Sequence, residues 1–247
     1  MTAKLFDVEQ IRRRNGQITD APVRVELSRR LEERLGEVKG GRHSVCRVFS
    51  EESVRQMSAE GGHDAVVADM VLPQVEDVPV FMVTCLQQLR ADGLLLMTTL
   101  GVESFREFRD AWAEIGEPGG HVVPLTDVRE GGALLQRLKL ALPVVDRDVM
   151  TVTFPDFAAL YASLRTHGTG NFFTGRRQGL TTPRKLRAME EAYVRLHGRG
   201  DGRIPVTLEV VYLHGFKAAE GQPTAARRGS GKVSLVRIFE EDGGDNN

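Results

Sequence analysis

Two apolar runs, residues 64–71 (Asp-Ala-Val-Val-Ala-Asp-Met-Val) and 94–100 (Leu-Leu-Leu-Met-Thr-Thr-Leu), constrain this chain more than any other feature. Each is short for a buried helix and too continuous for a strand with one wet face. Each therefore reads as a strand covered on both faces of a parallel sheet. Between them Phe81, Met82, Cys85, Leu86 and Leu89 recur at helical spacing, and Asp92-Gly93 is the expected helix exit. Neighbouring parallel strands need such a crossover, so residues 63–101 are expected to form a strand, helix, strand unit.

The flanking sequence continues the alternation. Leu27, Leu31, Leu35 and Val38 predict a helix over residues 25–38, which Gly40 and Gly41 stop. A short strand over 43–49 and a weak helix over 51–59 follow. Ser104 and Glu107 have capping-box spacing ahead of a helix with Phe105, Phe108, Trp112 and Ile115 on one face. Leu134, Leu135, Leu138 and Leu142 predict another helix, ended by Pro143; residues 149–154 alternate as a strand, and Pro155 opens a helix facing inward through Phe157, Leu160, Tyr161 and Leu164. Thr182 and Pro183 begin a helix with Leu186, Met189, Tyr193 and Leu196 inward and Gly198 at its exit. Residues 204–216 form the last strong strand, in which Tyr212 and His214 are packing candidates. Residues 232–239 form a weaker strand, and 240–247 have the composition of a disordered tail.

With 247 residues and 41% hydrophobic side chains, one domain with a single large core accounts for the chain. The expected organisation is 1–39 N-terminal helices, 40–62 a short connecting region, 63–153 the sheet core, 154–203 a helical cap, 204–239 C-terminal strands and 240–247 a tail. A formal net charge of -1 gives no global pull toward nucleic acid or anionic membrane. The basic group Arg227, Arg228 and Lys232 has no interleaved aromatics to stack on bases. Cys46 and Cys85 sit in apolar runs without C-x-x-C spacing and read as buried thiols, not a disulfide or zinc knuckle. The six histidines show no i, i+4 pair, so no metal is expected. No run is long enough to span a bilayer, and residues 1–15 lack the apolar core of a secretory signal, so a reducing, cytoplasmic setting is expected.

Several stretches resemble a known family. His63-Asp64-Ala65-Val66-Val67-Ala68-Asp69-Met70, Val75-Glu76-Asp77-Val78-Pro79 and Leu89-Arg90-Ala91-Asp92-Gly93-Leu94-Leu95-Leu96 resemble class I methyltransferases around their fourth and fifth strands. Leu5-Phe6-Asp7 with Arg12, Arg13 and Arg14, then Thr99-Leu100-Gly101 with Glu107-Phe108-Arg109, and Gly168-Thr169-Gly170-Asn171 with Arg176-Arg177, are similar to the malonyl-acyl-carrier-protein O-methyltransferases of biotin synthesis. The tail segments Asp201-Gly202-Arg203-Ile204-Pro205, residues 212–217 and Arg228-Gly229-Ser230-Gly231 resemble the methyltransferase-like assembly factors of respiratory complex I, which hydroxylate an arginine.

The resemblance implies an α/β, Rossmann-like fold with a mostly parallel sheet, antiparallel C-terminal strands and a helical cap. It also implies S-adenosylmethionine as cofactor, bound at a D-x-G-x-G-x-G turn after the first strand and by an acidic residue after the second. Residues 40–62 hold neither, which predicts a truncated fold with a degenerate cofactor site. Asp69, at the exit of its strand, is the remaining cofactor-binding candidate. Arg109, Asn171, Arg176 and Arg177 are the candidates for a substrate or partner, because a guanidinium can clamp a carboxylate or phosphate through two parallel hydrogen bonds; the alternative for each is plain surface charge. The expected function is a non-catalytic or weakened homologue, a pseudoenzyme acting as a partner or assembly protein. The alternative is an active methyltransferase on malonyl-acyl carrier protein. Loss of outer strands exposes a sheet edge, which predicts pairing with a second copy or with an intact relative.

Overall fold

The computed structural model describes residues 22–38, 43–57, 61–123, 125–166, 171, 174–176 and 179–219. The expectations for Arg12 to Arg14, Gly40 and Gly41, Gly168 to Gly170, Arg177, the strand at 232–239 and the tail lie outside these residues. The described elements are α1 (Pro22–Glu37), β1 (Val45–Val48), α2 (Glu51–Arg55), β2 (His63–Ala68), α3 (Val78–Gln87), β3 (Leu89–Leu100), α4 (Arg106–Glu114), α5 (Val128–Arg137), β4 (Ala141–Phe154), α6 (Phe157–Thr166), α7 (Pro183–His197) and β5 (Ile204–Phe216), with one 3-10 turn at Leu72–Gln74.

The five strands form one sheet in the order β1-β2-β3-β5-β4. β1 pairs parallel with β2 and β2 with β3, while β5 runs antiparallel between β3 and β4. Only β5 therefore opposes the common direction. Alternation along the strands sends side chains to two faces, as the apolar runs required. Ala65, Val67, Leu94, Leu96 and Leu100 meet α1, α4, α6 and α7 on one face, whereas Val66, Ala68, Leu95 and Met97 meet α2, α3 and α5 on the other. Each buried Leu or Val stabilises the fold by roughly 1.5–3 kcal/mol, which is why both layers hold.

β1 is only four residues long, and polar groups at its start fix its register. Asp64 accepts hydrogen bonds from the backbone N–H groups of His43 and Ser44 at 2.8 and 2.9 Å, and from Arg90 at 2.5 Å. The Ser44 N–H and then the Arg90 guanidinium hold the Asp64 carboxyl at about 2, below the ordinary carboxylate range. At the other end of the sheet, β4 and β5 run on past the last β3 residue, Leu100, as a two-stranded ribbon that ends at Phe154 opposite Ile204.

Several local readings are corrected. The helix through Leu134 and Leu135 ends at Arg137, and Leu142 belongs to β4, where it sits 74% exposed at a bulge with φ of 47°. β4 accordingly begins at Ala141, ahead of the expected residue 149. Asp92-Gly93 is not a helix exit. α3 has already ended at Gln87, and Asp92, at φ 59°, lies in a bulged entry to β3 where its N–H donates to the Lys217 carbonyl. α2 is shorter than the expected 51–59, and Leu196 points outward from α7.

Cys46 and Cys85 are free and buried, as expected. Burial, with Cys46 close by, pushes the Cys85 thiol up to about 12. Its folded-state value exceeds the unfolded value of about 8.5, so this contribution to stability is complete below pH 8.5 and is lost as pH rises toward 12. Cys85 should resist iodoacetamide at pH 8 until the protein unfolds, read as mass shift against denaturant; labelling in the native state at the rate of a free thiol would contradict the packing.

Candidate functional site

In open α/β sheets, ligands bind in the crevice outside the carboxyl ends of the parallel strands. Here the exits of β1, β2 and β3 lie together at that end. β1 runs into Phe49, which is 73% exposed, and then Ser50. The Ser50 hydroxyl accepts from Ser53 N–H at 3.0 Å, and the Ser53 hydroxyl accepts from Ser50 N–H at 3.1 Å, so the turn closes into a capping box that starts α2. No glycine occurs from residue 43 to 57.

At the β2 exit stands Asp69. Its Oδ2 accepts from the Ser28 hydroxyl of α1 at 2.7 Å and its Oδ1 from the Thr98 hydroxyl of β3 at 2.9 Å. Thr98 also accepts from Met70 N–H at 2.8 Å, holding Met70 at φ 53°. Asp69 thus ties α1, β2 and β3 together where a ligand would sit. Arg47 on β1 feels its charge and pairs with Glu32 of α1.

The β3 exit is clamped by two buried carboxylates. Beyond Leu100 the chain follows the edge of β5: Gly101 N–H donates to the Glu209 carbonyl at 2.8 Å and Phe105 N–H to the Thr207 carbonyl at 2.8 Å. Ser104 and Glu107, expected as a capping box, serve this junction instead. The Glu107 carboxylate accepts from Thr207 N–H at 3.0 Å and from the Thr207 hydroxyl at 2.5 Å, and the Ser104 hydroxyl bridges the Glu209 backbone. Glu209 accepts from Glu103 N–H at 2.8 Å and from Arg147 at 3.1 Å. Gly101 is required because a Cβ there would collide with the Glu209 carboxyl.

Of the candidates for a substrate or partner, Arg109 donates to the carbonyls of Ser104 at 2.5 Å and Val102 at 2.6 Å, so it braces this same loop. Asn171 donates from Nδ2 to the Gly120 carbonyl at 3.0 Å, joining its segment to the loop after α4. Arg176 is half-buried on that segment, and Arg177 lies outside the described residues. The structure unites Arg109 and Asp69 with the exits of β3 and β2, whereas Asn171 belongs to the cap side. Ser28, Thr98, Glu107 and Glu209 were missed as site-forming residues. Glu209, the one carboxylate in the mostly apolar strand β5, was the available signal.

Among the described residues no group of His, Cys, Asp or Glu could hold a metal ion, and no helix is long and apolar enough to cross a membrane. No protein-family model matches the chain. It is 34% identical over 161 residues to a malonyl-[acyl-carrier protein] O-methyltransferase of Laribacter hongkongensis, a match covering 65% of this chain and 53% of that protein. It is also 31% identical over 184 residues to the human mitochondrial arginine-hydroxylase NDUFAF5, covering 72% and 53% respectively. The chain thus spans about half the length of these curated relatives. Among solved structures, the YcgJ protein of Bacillus subtilis aligns at TM-score 0.40 and 12% identity, over 64% of this chain and 65% of that one.

Proposed function

The chain belongs to the class I S-adenosylmethionine-dependent methyltransferase superfamily, and from that premise we propose that it is a homologue with a degenerate cofactor site, acting as a partner or assembly protein. The observation that carries this reading is the β1 exit. There a glycine-free turn is closed by the Ser50 and Ser53 capping box, where the resemblance calls for a glycine turn that admits the cofactor close to backbone. Asp69, the acid left at the strand ends, already has a hydroxyl on each oxygen. The residues present do not fit the cofactor.

The outer edge of β1 has no strand partner among the described residues, and this supports pairing with a second copy or an intact relative. The likeness to NDUFAF5 supports a place in respiratory complex I assembly for the partner role. A second reading, favoured by the likeness to malonyl-[acyl-carrier protein] O-methyltransferases, is an active O-methyltransferase of biotin synthesis. In it Asn171, Arg176 and Arg177 hold the acyl carboxylate, Arg109 being committed to the loop carbonyls. Incubation with labelled S-adenosylmethionine and malonyl-acyl carrier protein separates the two. Label should stay on the cofactor if the partner reading holds; methyl ester formed in proportion to protein would replace it with the second.

A further inference from the structure

Polar side chains fasten α1 across one face of the sheet. Ser28 donates to Asp69 at the β2 exit at 2.7 Å, Arg47 of β1 donates to Glu32 at 2.9 Å, and Arg34 donates to Asp146 of β4 at 2.7 Å. Arg30 and Arg34 each reach Asp148 at 3.4 Å, and the Arg34 guanidinium lies 3.8 Å from the ring centre of Tyr212 on β5. The apolar hold is smaller: among the described side chains of α1, Leu27 and Leu31 alone are buried. Ion pairs this near the surface are weak singly, so the docking of α1 rests on their charge states together.

His214 sits on the same face, two residues along β5 from Tyr212 and between Leu96 of β3 and Val144 of β4. The charged groups that act on it are Arg34 from α1 and Asp146 from β4, and its β3 neighbour is apolar. Burial, and then the Arg34 guanidinium, hold its imidazole below the ordinary value of 6.5, with Asp146 opposing. The neutral ring is the form that fits beneath α1. Released from that contact, His214 takes up a proton as pH falls through about 6.5, whereas in the docked state it resists, so docking loses stability below that value. Against its burial, the Arg147 N–H and the Arg34 guanidinium hold the Asp146 carboxyl below the ordinary carboxylate range, so its charge persists through this window. His214 is therefore the group that switches.

We infer that α1 is an acid-released strap: a proton on His214 sets a second cation against Arg34, loosens α1 from β4 and β5, and withdraws Ser28 from Asp69 at the candidate site. Access to the ends of β2 and β3 then rises as pH falls, while the sheet itself stays folded.

Hydrogen–deuterium exchange of the full chain, without cofactor or partner, tests this at about pH 7.5 and about pH 5.5, each rate corrected for the intrinsic effect of pH on exchange. Amides of α1 should exchange about fivefold or more faster at the lower pH, while those of β3, β5 and α7 keep their protection. His214→Gln, which cannot take the proton, should hold α1 equally protected at both pH values; His214→Asn replaces it if the glutamine variant does not fold. Equal protection of α1 in wild type at both pH values overturns the proposal. So does protection lost from α1, β3 and β5 together, or an acid response that persists in the glutamine variant. Because the assay holds no ligand, its failure is distinct from a failure of the degenerate-site reading, which cofactor titration reports.

Discussion

Glu107→Leu is expected to lower the stability of the chain by about 3 kcal/mol, since it strands two donors inside the protein. Thr207 N–H and the Thr207 hydroxyl both end on the Glu107 carboxylate, and Glu107 is 3% exposed, so water cannot replace it. The measurement is the urea midpoint at constant m-value. Glu107→Gln keeps one acceptor and should recover about half of the loss. If the leucine variant were as stable as wild type, the loop after β3 would not depend on this clamp. The same junction explains the cost of any side chain at Gly101, which would have to displace Glu209.

The second large effect is at Tyr193. It is fully buried, makes edge-on contacts with Phe108 and Phe157 at 5.2 and 5.4 Å between ring centroids, and donates its hydroxyl to the Pro205 carbonyl at 2.5 Å. One side chain therefore joins α7, α4, α6 and β5. Tyr193→Ala removes the ring contacts and leaves a cavity, for an expected loss of about 4 kcal/mol, whereas Tyr193→Phe loses only the hydrogen bond, about 1 kcal/mol. Denaturant melts give the two values. Faster cleavage after Arg184 and Arg187 by trypsin in the alanine variant would confirm that the loss is local to the cap helices. Equal losses in both variants would mean that the hydroxyl, and not the ring, holds the joint.

The elements whose signal is local were legible in the sequence. β5 was read as 204–216 and found with those bounds, because a long apolar strand needs no distant partner to be recognised. α1, α3 and α7 followed from their apolar spacing and, at α7, from Thr182 and Pro183. The errors arose where a local pattern was overridden. Ser104 and Glu107 satisfy a local capping rule, yet their partners lie about a hundred residues away on β5, and those bonds prevail because they satisfy buried groups. Leu142 fits a helical period but follows Lys139 at φ 55°, a conformation that the pattern does not register.

The candidate site was legible only in part. Asp69 is visible as an acid closing an apolar strand, but its engagement by Ser28, 41 residues earlier in the chain, is not. Arg109 has the chemistry of an anion clamp. Its guanidinium is turned to two backbone carbonyls instead, because the loop after β3 leaves them without strand partners. The glycine-free turn after β1 was visible at once, and the structure adds the Ser50 to Ser53 bonds that close it.

Calorimetric titration of the purified chain with S-adenosylmethionine and S-adenosylhomocysteine tests the central claim most directly. The proposed reading predicts no heat of binding and no thermal shift with either compound. Micromolar binding of both, abolished by Asp69→Ala, would contradict it and show that the β1 turn and Asp69 make a working cofactor site by another route.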